Sequence, residues 1–406
     1  MKPPLLAIGI AISSSLVALD AKAATFSGLT VFGDSLVDTG NLFNITDALA
    51  APFGLSGLPP SPPYDQTNSN GPLWIDNVAQ ALGLALQPST DLLLNPSSFS
   101  STQGLNFAFS GALSSDVHIL DDDLPPALAS LFPGFQAQID RFAALSNIAP
   151  PDPNNLYVVW VGGNDYSEAF FTPDSLGDLS LADLPNVVTD NIINGLTQLN
   201  DLGAKEFLVV NLPSLGAAPF ADFLDADFPR RNIPQTLDLL SFGHNRLLSE
   251  KLNVFSQAQP DANVITLDVS SLFDDILADP NSFGLTNVTD PCLINFQPVF
   301  QFDGVCENPD EYLWWDDVHP TAAVYEIVSD FALATLNHGV SNTSLTYQST
   351  YPSLSGDTAL VTWNSETITW NGETTVAADV PEPGSALLTM ASMMAAMAQI
   401  KRKRMA

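Results

Sequence analysis

Ser35 is the residue around which chemistry can be built. It stands in Val31 to Asn41, VFGDSLVDTGN, where an apolar run from Gly28 to Phe32 gives way to a turn dense in Gly, Ser, Asp and Asn. The run is short enough for a buried strand, and the turn carries a hydroxyl at its tip. In an open parallel sheet such a turn lies at the carboxyl end of the strand, where ligands bind and a following helix points its positive end at developing negative charge. A serine becomes a nucleophile only when a base takes its proton, so an enzyme reading requires a histidine. Without one, the same residues are a Ser/Asp turn capping a helix.

The chain has four histidines. His118 lies in a polar loop leading to the acidic run Asp121 to Asp123, His244 sits in a helical stretch beside Asn245 and Arg246, and His338 falls near the edge of the final segment. His319 differs from these: it stands in WWDDVHPT, Trp314 to Thr321, between an aromatic run and a helix, with Asp316 three residues before it. An Asp at that spacing on a turn can reach the imidazole and fix its tautomer. Taken alone, DxxH is equally a solvated turn or a metal ligand. Asp317 is a second candidate acid, and the three-residue spacing favours Asp316. Asp34, next to the serine, reads as an anchor that holds the turn by hydrogen bonds. Stabilising an oxyanion needs preorganised donors, and the Ser35 amide, Gly111 and Asn164 stand in turns suited to that task. Gly and Asn are also ordinary turn residues.

The elements that must position these residues follow in a regular order. Gly104 to Ala112, GLNFAFSGA, reads as a strand-like piece ending in small residues. Leu156 to Val161, LYVVWV, is β-branched and aromatic without charge, as a central parallel strand should be, and runs into Gly162, Gly163, Asn164 and Asp165. Further strands are expected at Phe207 to Val210 and Val264 to Leu267. Helical spacing marks Ile75 to Leu84, Phe135 to Leu145, Val187 to Leu202, Phe242 to Phe255 and Ala322 to Leu336. Leu42 to Asp76, rich in Pro, Gly, Ser and Asn, reads as a long binding loop without regular structure, its Phe43, Phe53, Tyr64 and Trp74 available to an acyl chain or a sugar ring. Strand, polar turn and helix in alternation imply an α/β fold with a parallel sheet covered on both faces.

Four blocks in this order, GDSLVDTGN, GLNFAFSGA, GGND and DDVHP, resemble the GDSL family of SGNH hydrolases, the lipases and esterases named for their Ser, Gly, Asn and His. SNGPLW at Ser69 to Trp74 and LGAKEFLVVNLPSLGAAP at Leu202 to Pro219 are similar to that family as well, and the resemblance runs from about Leu29 to Leu336. It implies a three-layer α/β/α sandwich of flavodoxin-like type with a mainly parallel central sheet. It also implies Ser35 as nucleophile, His319 as base, Asp316 as the orienting acid and Ser35, Gly111 and Asn164 as oxyanion donors. The substrate so implied is a small-molecule or lipid ester; acetylated polysaccharide is the alternative, and a surface-displayed matrix or binding protein is the rival outside the enzymes.

Composition bounds the setting. The 406 residues carry 45 acidic against 12 basic side chains, and 46% are hydrophobic, which makes a globular chain. Between the termini the basic residues are only Arg141, Lys205, Arg230, Arg231, Arg246 and Lys251, so a surface for nucleic acid or an anionic membrane has almost nothing to be built from, and no nucleic-acid partner is expected. Residues 1–24, with Lys2, an apolar run from Leu5 to Leu19 and the Ala21, Lys22, Ala23 pattern, read as an export signal. In an oxidising compartment Cys292 and Cys306 are expected to pair, two free buried thiols being the alternative. No His or further Cys stands near them at metal-ligand spacing, and no cofactor is implied. The hydrolase domain is expected at 25–340, with a Thr/Ser-rich β appendage or stalk at 341–379 holding a hairpin around Asn371 and Gly372. Residues 380–406, with Val380, Pro381, Glu382, Pro383, a short apolar stretch and KRKR, resemble the PEP-CTERM sorting signals of bacteria. That resemblance implies an exosortase-like processing enzyme as partner and a transient membrane anchor. The mature chain is expected to be secreted or associated with the cell surface, as a monomer.

Overall fold

The computed structural model describes residues 26–98, 104–121, 124–145, 151–171, 179–227, 232–296 and 300–338, together with three short strands between 361 and 376. The expected export signal at 1–24 and sorting signal at 380–406 lie outside the described residues.

Six strands form one parallel sheet: β1 (Leu29–Gly33), β2 (Leu86–Pro88), β3 (Gly104–Asn106), β4 (Leu156–Trp160), β5 (Glu206–Val210) and β6 (Asn263–Leu267), in the order β2-β3-β1-β4-β5-β6. The strands that read as uncharged and β-branched are the buried ones; β1 and β4 have no exposed residue, as a sheet covered on both faces demands. The helices are α1 (Asn41–Ala50), α2 (Trp74–Ala81), α3 (Thr90–Leu94), α4 (Pro126–Ala129), α5 (Phe135–Ala144), α6 (Gly163–Phe171), α7 (Leu184–Leu202), α8 (Pro219–Asp227), α9 (Ile233–Ala258), α10 (Val269–Ala278) and α11 (Ala322–His338). α5, α7 and α9 pack in succession, and α2 packs against α11. The result is the three-layer α/β/α sandwich. Its centre is aromatic: Phe32 of β1 stacks on Phe107 at 5.5 Å and meets the edge of Phe142 of α5 at 5.6 Å.

Chain order reverses at the β1/β4 pair, since β2 and β3 lie to one side of β1 while β4, β5 and β6 lie to the other. Gly33 is in register with Trp160, so the turns leaving both strands emerge side by side. This is the switch point at which open parallel sheets place their ligands. Gln138 of α5 fixes the end of β1 from the side. Its amide donates to the Gly33 carbonyl at 2.8 Å and accepts from the Gly33 N–H at 2.9 Å.

Three expectations change. The segment after Leu42 is not irregular throughout, because α1 occupies Asn41–Ala50. The Asp38 carboxylate accepts the N–H groups of Gly40, Asn41 and Leu42 at 3.0, 2.6 and 3.1 Å, which satisfies the free donors of the first turn, and Leu42 and Ile45 are buried one turn apart. α9 starts at Ile233, nine residues before the helical spacing expected from Phe242, with Pro234 in its first turn, where a missing N–H costs nothing. The strand-like piece expected over Gly104 to Ala112 ends as a strand at Asn106.

Beyond the sheet, β7 (Asn287–Pro291) pairs with β10 (Tyr312–Trp314), and β8 (Leu293–Ile294) pairs with β9 (Gly304–Val305). A disulfide joins Cys292 to Cys306 across the second pair. In the C-terminal segment β11 (Val361–Asn364), β12 (Thr367–Trp370) and β13 (Glu373–Val376) pair antiparallel in sequence order, with Trp370 opposite Glu373; Asn371 and Gly372 of the expected hairpin lie outside the described residues. Among the described residues no helix is long and apolar enough to cross a membrane.

Candidate active site

The carboxyl ends of β1, β3 and β4 and the loop before α11 converge. Ser35, one residue beyond the Asp34 that follows β1, is 7% exposed. Its Oγ lies 2.8 Å from His319 Nε2. His319 Nδ1 lies 2.8 Å from Asp316 Oδ2 and 2.9 Å from Oδ1. The structure therefore brings Ser35, His319 and Asp316 into one hydrogen-bonded chain, and Asp317 is not in it. Nδ1 faces a carboxylate and must donate, so the proton sits there and leaves Nε2 free to accept from the serine.

Asp316 is held from four directions. Besides the imidazole it accepts the backbone N–H groups of Val318 at 2.9 Å and His319 at 2.7 Å and the phenol of Tyr64 at 2.8 Å. The loop that carries it is clamped in turn: Trp315 N–H donates to the His319 carbonyl, Ser69 Oγ donates to the Pro320 carbonyl, and Ala322 N–H donates to Asn70 Oδ1. The SNGPLW block thus holds the His319 loop directly. Tyr64 and Trp74, expected to line a substrate loop, are buried at 2% and 0% exposure. Trp74 instead donates its indole N–H to the Leu36 carbonyl beside the serine.

Burial pushes the His319 imidazole down, but Asp316 in contact, with Asp317 and Asp34 further off, pushes it up by more, and it ends above its ordinary value. Burial likewise raises the Asp316 carboxyl, and the His319 charge and its hydrogen bond overcome this and hold it below the usual carboxylate range. The pair favours imidazolium beside carboxylate, the arrangement that follows proton transfer from a serine. Asp34 is pushed up to about 7, chiefly by burial. It accepts the Leu36 N–H at 3.1 Å, so it steadies the turn as expected, while Asp38 does so far more extensively.

Gly111 and Asn164 reach the same turn cluster. Asn164, in the first turn of α6, donates through Nδ2 to the Ala112 carbonyl at 3.0 Å, which leaves its second amide hydrogen unspent. Among the described residues neither the Ser35 nor the Gly111 backbone N–H is given to a protein acceptor. Asn41 and Asn106 tie the serine turn to the Gly111 turn: Asn41 Nδ2 donates to the Asn106 and Ala108 carbonyls, both at 2.9 Å, and Asn106 Nδ2 donates to the Val37 carbonyl at 2.6 Å. Asp38 adds a third tie by accepting the Ser110 N–H at 2.8 Å. Sequence reasoning passed over Asp38, Asn41 and Asn106 and gave Tyr64 a different task. The signal was present in the first two, as the D and N of GDSLVDTGN.

A cleft of about 750 Å³ lies beside the base loop, with Phe223, Phe296, Tyr312, Asp290, Glu311 and Asp317 among its walls. Burial and the adjacent Asp316 push the Asp317 carboxyl up to about 7.

The family model described as GDSL-like Lipase/Acylhydrolase matches residues 29–331. Two GDSL esterase/lipases of Arabidopsis thaliana are each 27% identical to the chain. One aligns over 338 residues, 79% of this chain and 84% of its own; the other over 369 residues, 81% and 93%. Among solved structures, an acetylxylan esterase from Geobacillus stearothermophilus covers 78% of this chain and 96% of its own at 13% identity, with a TM-score of 0.35. A member of the lipolytic G-D-S-L family from Veillonella parvula covers 76% and 96% at 12% identity, also with a TM-score of 0.35. Scores below 0.5 carry no argument about activity. The match of the family model over three quarters of the sequence does: the chain belongs to the GDSL-like lipase/acylhydrolase family, and at that level it is an ester hydrolase.

Proposed function

We propose that this chain is an exported serine hydrolase of carboxylic esters, working through an acyl-enzyme on Ser35. The observation that carries this reading is the unbroken chain Asp316, His319, Ser35, with 2.8 Å at each link. Ser35 Oγ attacks the ester carbonyl carbon while its proton passes to His319 Nε2. The carbonyl electron pair moves onto oxygen, where the N–H groups of Ser35 and Gly111 and the Asn164 amide receive it. The bond to the alcohol oxygen breaks as the imidazolium returns the proton to that oxygen, leaving acyl-Ser35. Water then gives a proton to Nε2 and attacks the acyl carbon; collapse releases the carboxylic acid and restores the serine hydroxyl. The sum is ester plus water to acid plus alcohol.

Incubation with a fluorophosphonate probe is expected to give one covalent adduct, which peptide mass spectrometry places on Ser35. An adduct elsewhere, or none in a folded protein, overturns the reading.

The electrostatics of the base give a second expectation. Nε2 must be unprotonated to accept the serine proton, so kcat/KM falls about tenfold for each pH unit below the His319 pKa, and that acid limb lies above the ordinary value near 6.5. Asp316→Asn removes the paired negative charge and moves the limb to lower pH. A pH–rate profile of both proteins measures the shift, and an unmoved limb would detach Asp316 from the base.

Export is supported by the leader pattern at 1–24 and by the Cys292–Cys306 disulfide, which persists in oxidising compartments. The tail at 380–406 then acts as a processed sorting signal, and the mature chain works as a monomer at the cell surface or beyond it. The second reading, a polysaccharide O-deacetylase, draws on the cleft beside the base loop, whose aromatic and carboxylate walls suit sugar faces and hydroxyls and repel fatty-acid carboxylates. Initial rates on acetylated glycan against a chain-length series of simple esters separate the two.

A further inference from the structure

His118 was read from the sequence as part of a polar loop, yet it is 2% exposed and packs at 5.5 Å from the Phe132 ring. Its ring has two partners. The Leu120 N–H points at Nδ1 at 3.2 Å, and the Ser110 carbonyl lies 2.7 Å from Nε2. An N–H can only donate and a carbonyl can only accept, so Nδ1 is bare and Nε2 carries the proton. Burial pushes the imidazole down to about 4, which keeps it neutral and preserves that division of roles.

The Ser110 carbonyl shares a peptide plane with the Gly111 N–H, and in a trans peptide the two point in opposite directions. Holding one aims the other. That aim needs holding, because Gly111 sits at φ +88°, in the region open to glycine, where the preceding peptide is least restrained by side-chain sterics. The glycine is also required by the histidine: a Cβ on Gly111 would stand 2.8 Å from His118 Cε1 and Nε2. The backbone sets the same register, since Ala112 and His118 face each other in an antiparallel bridge with Ile119 N–H donating to the Gly111 carbonyl at 3.1 Å. Ala112 is the residue whose carbonyl orients Asn164.

We infer that His118 is a positioning residue for ester hydrolysis: its Nε2–H pins the Ser110 carbonyl so that the Gly111 amide faces the oxyanion formed on the substrate of Ser35. It touches neither substrate nor triad and acts through the peptide between 110 and 111. The inference rests on the serine-hydrolase reading of the site.

The test uses the full chain, an ester substrate and a matched trifluoromethyl ketone. Ser35 Oγ adds to the ketone carbon while its proton passes to His319, leaving an oxyanion in the same place as in the reaction. His118→Leu, which keeps bulk and removes the donor, is expected to lower kcat about 30-fold with KM changed less than about threefold, below the full loss of an oxyanion donor. Ketone affinity falls by the same factor as kcat/KM. His118→Gln, whose Nε2–H can reach the carbonyl, restores kcat to within about fivefold of the native value. Equal losses in Leu and Gln, a loss confined to KM, or ketone binding untouched by His118→Leu overturns the inference. Nitrogen-15 NMR of the native protein needs no variant to fold. A neutral His118 ring protonated at Nε2 is expected, and one protonated at Nδ1 overturns the inference. If the native protein forms no ketone adduct while the NMR shows the Nε2–H ring, it is the serine-hydrolase reading that fails, and the role of His118 in catalysis fails with it.

Discussion

Replacing Ser35 by alanine, His319 by alanine, or both together is expected to lower kcat for ester hydrolysis by one and the same factor, about 10⁶. The reason is that the hydroxyl and the imidazole act in a single event. On the proposed mechanism the 2.8 Å between Oγ and Nε2 lets the serine proton pass to the imidazole as the oxygen attacks, so neither group serves the reaction without the other. Losses that multiplied in the double variant would mean two independent contributions and would break the proposed relay. Asp316→Asn should cost less, about 10⁴, because the amide can still hold the ring, though as the wrong tautomer. Tyr64, Val318 and His319 all give hydrogen atoms to Asp316, so a neutral amide there faces an excess of donors. Steady-state rates, with urea melts to confirm that each variant is folded, decide the matter. Fully active Ser35→Ala would end the proposal.

The second large effect is expected at Asn164. Asn164→Ala should reduce kcat by about 10²–10³, or roughly 3–4 kcal/mol of transition-state stabilisation, with KM little altered. An oxyanion hole acts on charge that appears only during reaction, so its loss shows in turnover rather than in binding. One amide hydrogen of Asn164 is already committed to the Ala112 carbonyl, and that bond fixes the direction of the other. The side chain sits in the first turn of α6, where the free N–H groups of the helix add a favourable field. If kcat is unchanged while the protein melts normally, Asn164 is a turn residue and not a donor. A loss seen equally in kcat and in stability would place its role in holding Ala112.

The frame was legible from sequence where a local pattern and the final environment agree. LYVVWV reads as a buried strand because six consecutive apolar residues can be satisfied only by a sheet covered on both faces, and the first five of them are β4. The four polar turns were legible because each follows such a run. What escaped was set by contacts distant in sequence. α1 was hidden by its neighbours, since the Pro- and Gly-rich letters after Ala50 coloured the reading of a stretch whose start is capped by Asp38. His118 stands among Ser114, Ser115, Asp116 and the acids after Leu120, so composition argued for solvent. Its ring is enclosed by Phe132 and by a glycine chosen to admit it. Tyr64 looked like a substrate contact because exposed aromatics in loops often are. Only its partner 252 residues away reveals that its hydroxyl holds the Asp316 carboxylate.

The distance in sequence between the proposed nucleophile and its proposed base has a consequence for the birth of the molecule. Ser35 and His319 are 284 residues apart in the chain. At about 5–20 residues per second a ribosome needs roughly 15–60 s to travel from one to the other. For all that time the growing polypeptide carries Ser35 without His319, and in the finished fold Ser69 and Asn70 clamp the loop that bears His319. On the proposed mechanism, arrival of the segment that leads into α11 is the step that completes the site, and a chain that stops short of it holds the hydroxyl without its base.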